Sequence, residues 1–549
     1  MPRREIAPGP SCLECRRRKI KCDRSHPCSY CVKVRINCRY PAARLPHDED
    51  ALTRVAYLES KLLAAEKRLS EIGECASPGE KGSHAVVSEA VHTDRPQKKY
   101  PIQSLATGSS YSPVGTRSSM ILKPQAALDL DAVRPSQASV AVLWQQYVEA
   151  VDPLLKIFHT PTVQKLVVKA IHGREKLEAP SQCLLFAIYY AAVASMSPLV
   201  CKSELEDERQ VLLKQYRTGV ENLLSRLDLL NSTNMTVLQA FAIFLITGRC
   251  DEDGPDVYAL VGLAGGMALK MGLNRDGAAL GQSPFEVEMR RRLWWQLFIL
   301  DIRVAEDRRS EPCILESSFN TRLPSNLGDA DLHPDMSRLP ACQEGRTEML
   351  FSLVRFEGSY FARQMVFSDA FGEANAYMPL SMTEKCQALD LFQERMEKQY
   401  LSHCDDSIPL DNVTVRSIRL ILAKLGLMAI DHTSTDVSPD ERATTRRGWT
   451  KILQDAEELR RYEEGKQWLW LFQTYIEWDA LASLLLHLHS DPVGGDGDEG
   501  WDTAYKIYSY WKNVKSTRRD RRWNRIEELR LEVLAARSQR AHATRNVGE

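Results

Sequence analysis

Six of the chain's fourteen cysteines crowd into one short stretch: Cys12, Cys15, Cys22, Cys28, Cys31 and Cys38. The spacing C-x2-C-x6-C occurs twice, separated by five residues, so the stretch is an internal repeat with a period of sixteen. A segment this short cannot bury enough apolar surface to fold by itself, and the thiols must supply its scaffold. An x2 pair puts two thiolates on one tight turn, the first half of a tetrahedral zinc site. The next cysteine lies seven positions further on, about two helical turns, so Cys15 shares a face with Cys22, and Cys31 with Cys38. Each half then offers three sulfurs, one short of a tetrahedron. Two zinc ions need eight ligand positions, which six sulfurs fill only if two of them bridge. Symmetry makes Cys12 and Cys28 the natural bridges, with Asp23 to Pro27 as the connector that folds one half onto the other.

Competing readings of the cluster are weaker. A disulfide scaffold needs an oxidising compartment, and the opening Met1-Pro-Arg-Arg-Glu has no apolar stretch of a secretory leader. A single zinc would leave two cysteines without purpose, and a metal buffer would have no need of arginines. The eight other cysteines are scattered and read as small buried hydrophobes.

Charge is segregated. The chain as a whole is nearly neutral, at −1, but residues 1–46 hold twelve Lys/Arg against Glu5, Glu14 and Asp23. A basic head on a mildly acidic body points to an anionic partner for the head alone. Arg16, Arg17, Arg18, Lys19 and Lys21 lie on a helix pinned at both ends by metal ligands, and Lys33, Arg35 and Arg39 follow. Two Zn²⁺ and six thiolates carry a net charge of −2, which offsets only part of this surplus. A rigid basic helix on a compact metal core suits the DNA major groove, with Lys or Arg donating to guanine O6 and N7 and the other cations pairing with phosphates.

Cys12 to Cys38 resembles the fungal zinc binuclear-cluster DNA-binding domain, without gaps in the spacing and with Pro27 just before the fourth cysteine. The resemblance implies two zinc ions bridged by Cys12 and Cys28, a base-reading pair at Arg18 and Lys19, and double-stranded DNA with CGG-type half-sites as the partner. The expected DNA-contacting residues are Arg16, Arg17, Arg18, Lys19, Lys21, Lys33 and Arg35.

Beyond the head, Val55, Leu58, Leu62, Ala65, Leu69 and Ile72 fall at a/d spacing with Glu59, Lys61, Glu66, Lys67 and Arg68 between them. This predicts a short coiled coil over 47–74 that pairs two copies of the chain. A lone amphipathic helix is the alternative, because so short a zipper is marginal alone. Residues 75–138 read as a disordered linker: Pro, Gly and Ser fill 20 of the 62 positions from 75 to 136, with no sustained apolar period.

From 139 to 549 the pattern is mostly α. Helical apolar stripes are predicted at 181–197, 208–230, 235–248, 257–273, 285–305, 346–370, 383–399, 412–431, 447–463, 466–489 and 502–513, with strand alternation scarce. The longest uncharged run, Cys183 to Val200, reads as a buried helix stopped by Pro198, not a membrane span. Val151-Asp-Pro-Leu-Leu-Lys-Ile-Phe-His159, Gly272-Leu-Asn-Arg-Asp-Gly277, Ser283-Pro-Phe-Glu-Val-Glu-Met-Arg-Arg-Arg-Leu-Trp-Trp295 and Asp329-Ala-Asp-Leu332 resemble the fungal-specific transcription factor regulatory domain. Arg290, Arg291 and Arg292 are expected to pair with nearby acids such as Asp301 and Glu306. The small residues of Gly262-Leu-Ala-Gly-Gly266 are expected to let two helices approach. Gly494 to Gly500 reads as a loop, and the basic run from Lys515 to Arg525 as a solvated helix.

Enzyme motifs are wanting. Gly262 to Gly266 has neither the G-x-G-x-x-G register nor a Walker lysine, and no H-E-x-x-H or G-x-S-x-G occurs. His159 and His172 stand alone and read as structural. The expectation is a nuclear, soluble, homodimeric regulator of RNA polymerase II genes that engages the transcription machinery, not a membrane. Resemblance to regulators of fungal gene clusters suggests secondary metabolism as the process. The alternative is a non-activating interaction or repressor subunit with a weak DNA-binding head.

Overall fold

The computed structural model describes Cys15, Cys22, Asp23 and 28–34 of the head. It also describes 129–547, except 173–176, 252, 309, 367–380, 430–437, 472–476, 491–494 and 515–520. The chain divides into two units, Met1–Pro96 and Gln97–Glu549. The predicted coiled coil, with Val55, Leu58, Leu62, Leu69 and Ile72, lies outside the described residues. So does the linker up to 128.

In the first unit, helix α1 spans Ser29–Lys33. The second unit begins with α2 (Gln137–Ala150), whose N-cap Ser136 accepts from the Ser139 amide. Its packed structure starts earlier than the expected boundary at 139: Leu130 and Val133 lie against the core, and Gln215 donates to the Val133 carbonyl at 2.9 Å. Then come α3 (Asp152–Leu155), α4 (Thr160–His172), α5 (Ala179–Ser195), α6 (Pro198–Leu205), α7 (Arg209–Arg226), α8 (Met235–Cys250), α9 (Tyr258–Lys270) and α10 (Pro284–Arg308). The C-terminal half adds α11 (Leu350–Val366), α12 (Met382–Gln399), α13 (Pro409–Ala429), α14 (Pro439–Arg461), α15 (Glu477–Ser490), α16 (Gly495–Lys512) and α17 (Arg521–Val547). Among the described residues there is no strand.

Helix α5 explains the long uncharged run. Every residue from Cys183 to Ala194 is buried, because α2, α7 and α8 pack around it. A helix apolar on all faces belongs at the centre of such a bundle. It ends at Ser195, and Pro198 opens α6 behind the Ser197 cap. No described helix is long and apolar enough to cross a membrane. Gly219 of α7 faces Phe186 of α5, where a Cβ would come within 2.4 Å of the ring.

One apolar core runs from Val140 to Val533 and joins both halves of the body. The 3₁₀ segment Glu463–Leu471 fastens them: the indole N–H groups of Trp468 and Trp470 donate to the carbonyls of Glu149 and Ala150 at 2.9 and 3.0 Å.

Three expectations need correction. The acidic segment is not a loop from Gly495 onward: α16 starts there, and acidic residues favour a helix N-terminus. Helix α17 is not solvated all round, since Trp523, Ile526, Leu529 and Val533 are buried, with Trp523 against Trp478 and Tyr508. The glycines of α9 serve the segment at Cys313 and Ile314, which Gly262 and Gly265 face at 3.6 and 3.7 Å, rather than a second helix.

Candidate metal centre and nucleic-acid interface

Cys28 sits at the N-cap of α1 in extended conformation, and the Cys31 amide donates to its sulfur at 3.5 Å. That local geometry turns the x2 spacing into two thiols on one side of the turn. Cys15, Cys28 and Cys31 are fully buried and their sulfurs lie within 4.8 Å of one another. Cys15 Sγ and Cys28 Sγ are 3.6 Å apart. Two thiolates on one tetrahedral zinc, at Zn–S of about 2.3 Å, stand about 3.8 Å apart, so this pair fits a shared ion. Cys28 also belongs to a second group: its sulfur, that of Cys22 and an Asp23 carboxylate oxygen lie within the same 4.8 Å. Membership in both groups is what a bridging sulfur requires.

Asp23 does more than begin the connector. Its carboxylate accepts from the Ser29 amide at 3.1 Å and from the Ser29 hydroxyl, which fastens the connector to the start of α1. Lys33 is exposed in the last turn of α1, between exposed Val32 and Val34. Cys12, Cys38, Arg16, Arg17, Arg18, Lys19, Lys21 and Arg35 lie outside the described residues.

In the body, the four stretches singled out in sequence converge on buried charge. Arg292, fully buried on α10, donates to Asp329 Oδ1 at 2.6 Å, and Glu288 lies 3.9 Å from it. Lys156, at φ 42° in the left-handed region, reaches Asp152 at 2.7 Å, Asp329 at 3.4 Å and Glu348 at 2.5 Å. A non-glycine residue holds that conformation only where its surroundings over-determine it, and three carboxylates do so here. Asp329 further accepts from the Thr160 amide at the start of α4, and its carbonyl bonds His159 Nε2. Burial alone would raise the Asp329 carboxyl; Arg292 and then Lys156 outweigh it and hold it down at about 2.

Arg291 makes a bidentate pair with Asp276 of the 272–277 stretch, both bonds 2.9 Å, and Arg290 donates to the Met271 carbonyl. Arg291 and Arg292 are therefore paired with acids inside the protein, though not with Asp301 or Glu306. Those acids lie nine or more residues further along α10, about 14 Å or more, beyond an arginine's reach. Asp301 instead accepts from the amides of Cys313 and Ile314, and Glu306 pairs with Arg303. Sequence reasoning missed the Lys156–Asp329–Arg292 junction. Its only signal was the set of charged residues recurring inside otherwise apolar stretches.

Residues 10–46 match the fungal Zn(2)-Cys(6) binuclear cluster domain, and residues 144–368 the fungal specific transcription factor domain. Over 547 residues the chain is 28% identical to the aurofusarin cluster transcription factor aurR2 of Gibberella zeae, covering 95% of this chain and 78% of that protein. It is 26% identical to transcriptional regulator AacuB of Aspergillus aculeatus, covering 92% of this chain and 78% of the relative. A third relative, the pyriculol/pyriculariol biosynthesis cluster transcription factor 1 of Pyricularia oryzae, is 36% identical over 231 residues, covering 42% of this chain and 31% of its own. The cluster domain takes two zinc ions as its cofactor, and the gathered cysteines suit them. The gathered cysteines of the head and the buried ion pairs of the body thus lie in two stretches similar to the domains of fungal zinc-cluster transcription factors.

Proposed function

We propose that this chain is a nuclear, sequence-specific regulator of RNA polymerase II genes that reads CGG-type half-sites in the major groove as a homodimer. The observation that carries the reading is Cys28, whose sulfur belongs to both groups of metal-ligating side chains in the head. In this reading Cys12, Cys15, Cys22, Cys28, Cys31 and Cys38 hold the two ions, with Cys12 and Cys28 bridging. The metals supply the folding energy of a head too small for a core of its own. Arg18 and Lys19 donate to guanine edges, while Arg16, Arg17, Lys21, Lys33 and Arg35 pair with phosphates and fix the register. Exposed Lys33 at the end of α1 suits that positioning role. Val55, Leu58, Leu62, Leu69 and Ile72 pair the two copies, and the connector before them sets half-site separation.

The body regulates and engages the transcription machinery; the buried charges of Lys156, Asp152, Asp329 and Arg292 pair with one another, which supports a structural role for them. Relatives whose names give the aurofusarin cluster and the pyriculol/pyriculariol biosynthesis cluster support control of a secondary-metabolite gene cluster. Genome-wide mapping of the full-length chain tests the reading at once. Enrichment of paired CGG triplets upstream of clustered biosynthetic genes is expected, and binding sites without any triplet would overturn it.

A further inference from the structure

Two residues of the head sit directly beside cluster cysteines: Asp23 follows Cys22, and Ser29 follows Cys28. These two meet. Both carboxylate oxygens of Asp23 accept from the Ser29 amide, Oδ2 at 3.1 Å and Oδ1 at 3.2 Å, and Oδ2 also accepts from the Ser29 hydroxyl. Ser29 is the first residue of α1, so its N–H finds no acceptor within that helix. The Cys28 sulfur already takes the amide of Cys31. Asp23 therefore supplies, from the first half of the repeat, an acceptor that the helix of the second half lacks.

The contact closes over residues 24–27 of the connector. Because each partner is joined by one peptide bond to a cluster cysteine, holding Asp23 against Ser29 holds Cys22 near Cys28. Cys22 Sγ, Cys28 Sγ and an Asp23 oxygen lie within 4.8 Å of one another, and Cys28 Sγ is also 3.6 Å from Cys15 Sγ. A sulfur shared by two ions must face both ligand groups, and the backbone beside it sets that direction.

The carboxylate is not needed as a ligand, since six thiolates with two of them shared fill the eight positions of two tetrahedral ions. Two Zn²⁺ and six thiolates carry a net charge of −2, which repels a further anion at this distance. The N–H and O–H donors of Ser29 offset that repulsion.

We propose that Asp23 is a positioning residue of the zinc centre: a latch that aligns Cys28 between the two ions and slows the loss of zinc without itself binding metal. The inference rests on the two-zinc reading above and extends it to a residue outside the six cysteines. Hydrogen-bond partners beyond the ligand set orient the ligands, and losing one weakens metal binding by about 10–100-fold.

Zinc release from the full-length chain to the chromophoric chelator pyridylazoresorcinol tests this, with the zinc content first counted by native mass spectrometry. Asp23→Ala should release zinc about tenfold faster than the parent or more, or hold fewer than two ions. Asp23→Asn keeps an oxygen that accepts from Ser29, and asparagine satisfies helix-start amides about as well as aspartate. It should therefore hold two ions and release them within about threefold of the parent rate. Ser29→Ala keeps the N–H and loses the O–H, so its release should fall between those of the parent and Asp23→Ala. Both alanine substitutions break one contact, so the double variant should release zinc no faster than Asp23→Ala alone. Three results would overturn the proposal. They are Asp23→Ala releasing at the parent rate, Asp23→Asn behaving like Asp23→Ala, which would make the carboxylate a ligand, and the two alanine effects adding independently. A parent chain carrying other than two zinc ions would instead sink the two-zinc reading, and the latch with it.

Discussion

Asp329→Asn removes a charge while keeping the shape and one acceptor. The carboxylate it replaces takes hydrogen bonds from Arg292 at 2.6 Å, Lys156 at 3.4 Å and the Thr160 amide at 2.9 Å. The folded carboxyl stands at about 2, against an ordinary value of about 3.9 in an unfolded chain, and that difference corresponds to about 2.6 kcal/mol of stability at neutral pH. Stranding fully buried Arg292 raises the cost, and stripping one partner from a buried pair removes about 3–5 kcal/mol. Urea unfolding of the full chain followed by far-UV ellipticity, which the helical body dominates, should show a loss in that range. The sign with pH follows from the lowered value. The contribution is complete above about pH 4 and fades as pH falls through about 2, so parent and variant should converge on acidification. A loss below about 1 kcal/mol at pH 7, as for an exposed pair, would refute the reasoning. So would a gap between parent and variant that stays constant from pH 5 downward.

Other perturbations probe the head and the packing. If its sulfur bridges both metals as proposed, Cys28→Ala should leave fewer than two zinc ions per chain by native mass spectrometry, whereas Cys404→Ala should leave the count unchanged. Retention of two ions would exclude Cys28 as a bridge. Lys19→Ala should cost about 1–3 kcal/mol on a CGG duplex and relax triplet preference, while Lys33→Ala should weaken all duplexes about equally. An equal loss on random DNA would remove Lys19 from base reading. Gly219→Ala drives a methyl into the Phe186 ring and should destabilise the body by about 1–3 kcal/mol in thermal melts, despite the better helix propensity of alanine. An unchanged melting temperature would mean that α5 and α7 separate freely.

The ion network also accounts for what the family-like stretches of the body do. Residues 151–159, 272–277, 283–295 and 329–332 are distant in sequence, yet each contributes a charged group to pairs centred on α10. These residues are positioning elements that weld loops to a central helix, and α4 begins where Asp329 accepts from Thr160.

The metal-binding head and the helical character of the body were legible in residue spacing alone. Ligand spacing acts within a turn or two: Cys28 and Cys31 meet because only two residues separate them at a helix start. Apolar periodicity is equally local, which is why the stripes at 181–197, 235–248 and 285–305 coincide with α5, α8 and α10 to within a few residues. Which opposite charges meet depends on how the helices pack. Lys156 finds Glu348 across 192 positions, Arg292 finds Asp329 across 37, and Arg355 is left with neutral acceptors. Helix crossings settle those choices, because burial forces each charge to take whichever partner the packed neighbours deliver.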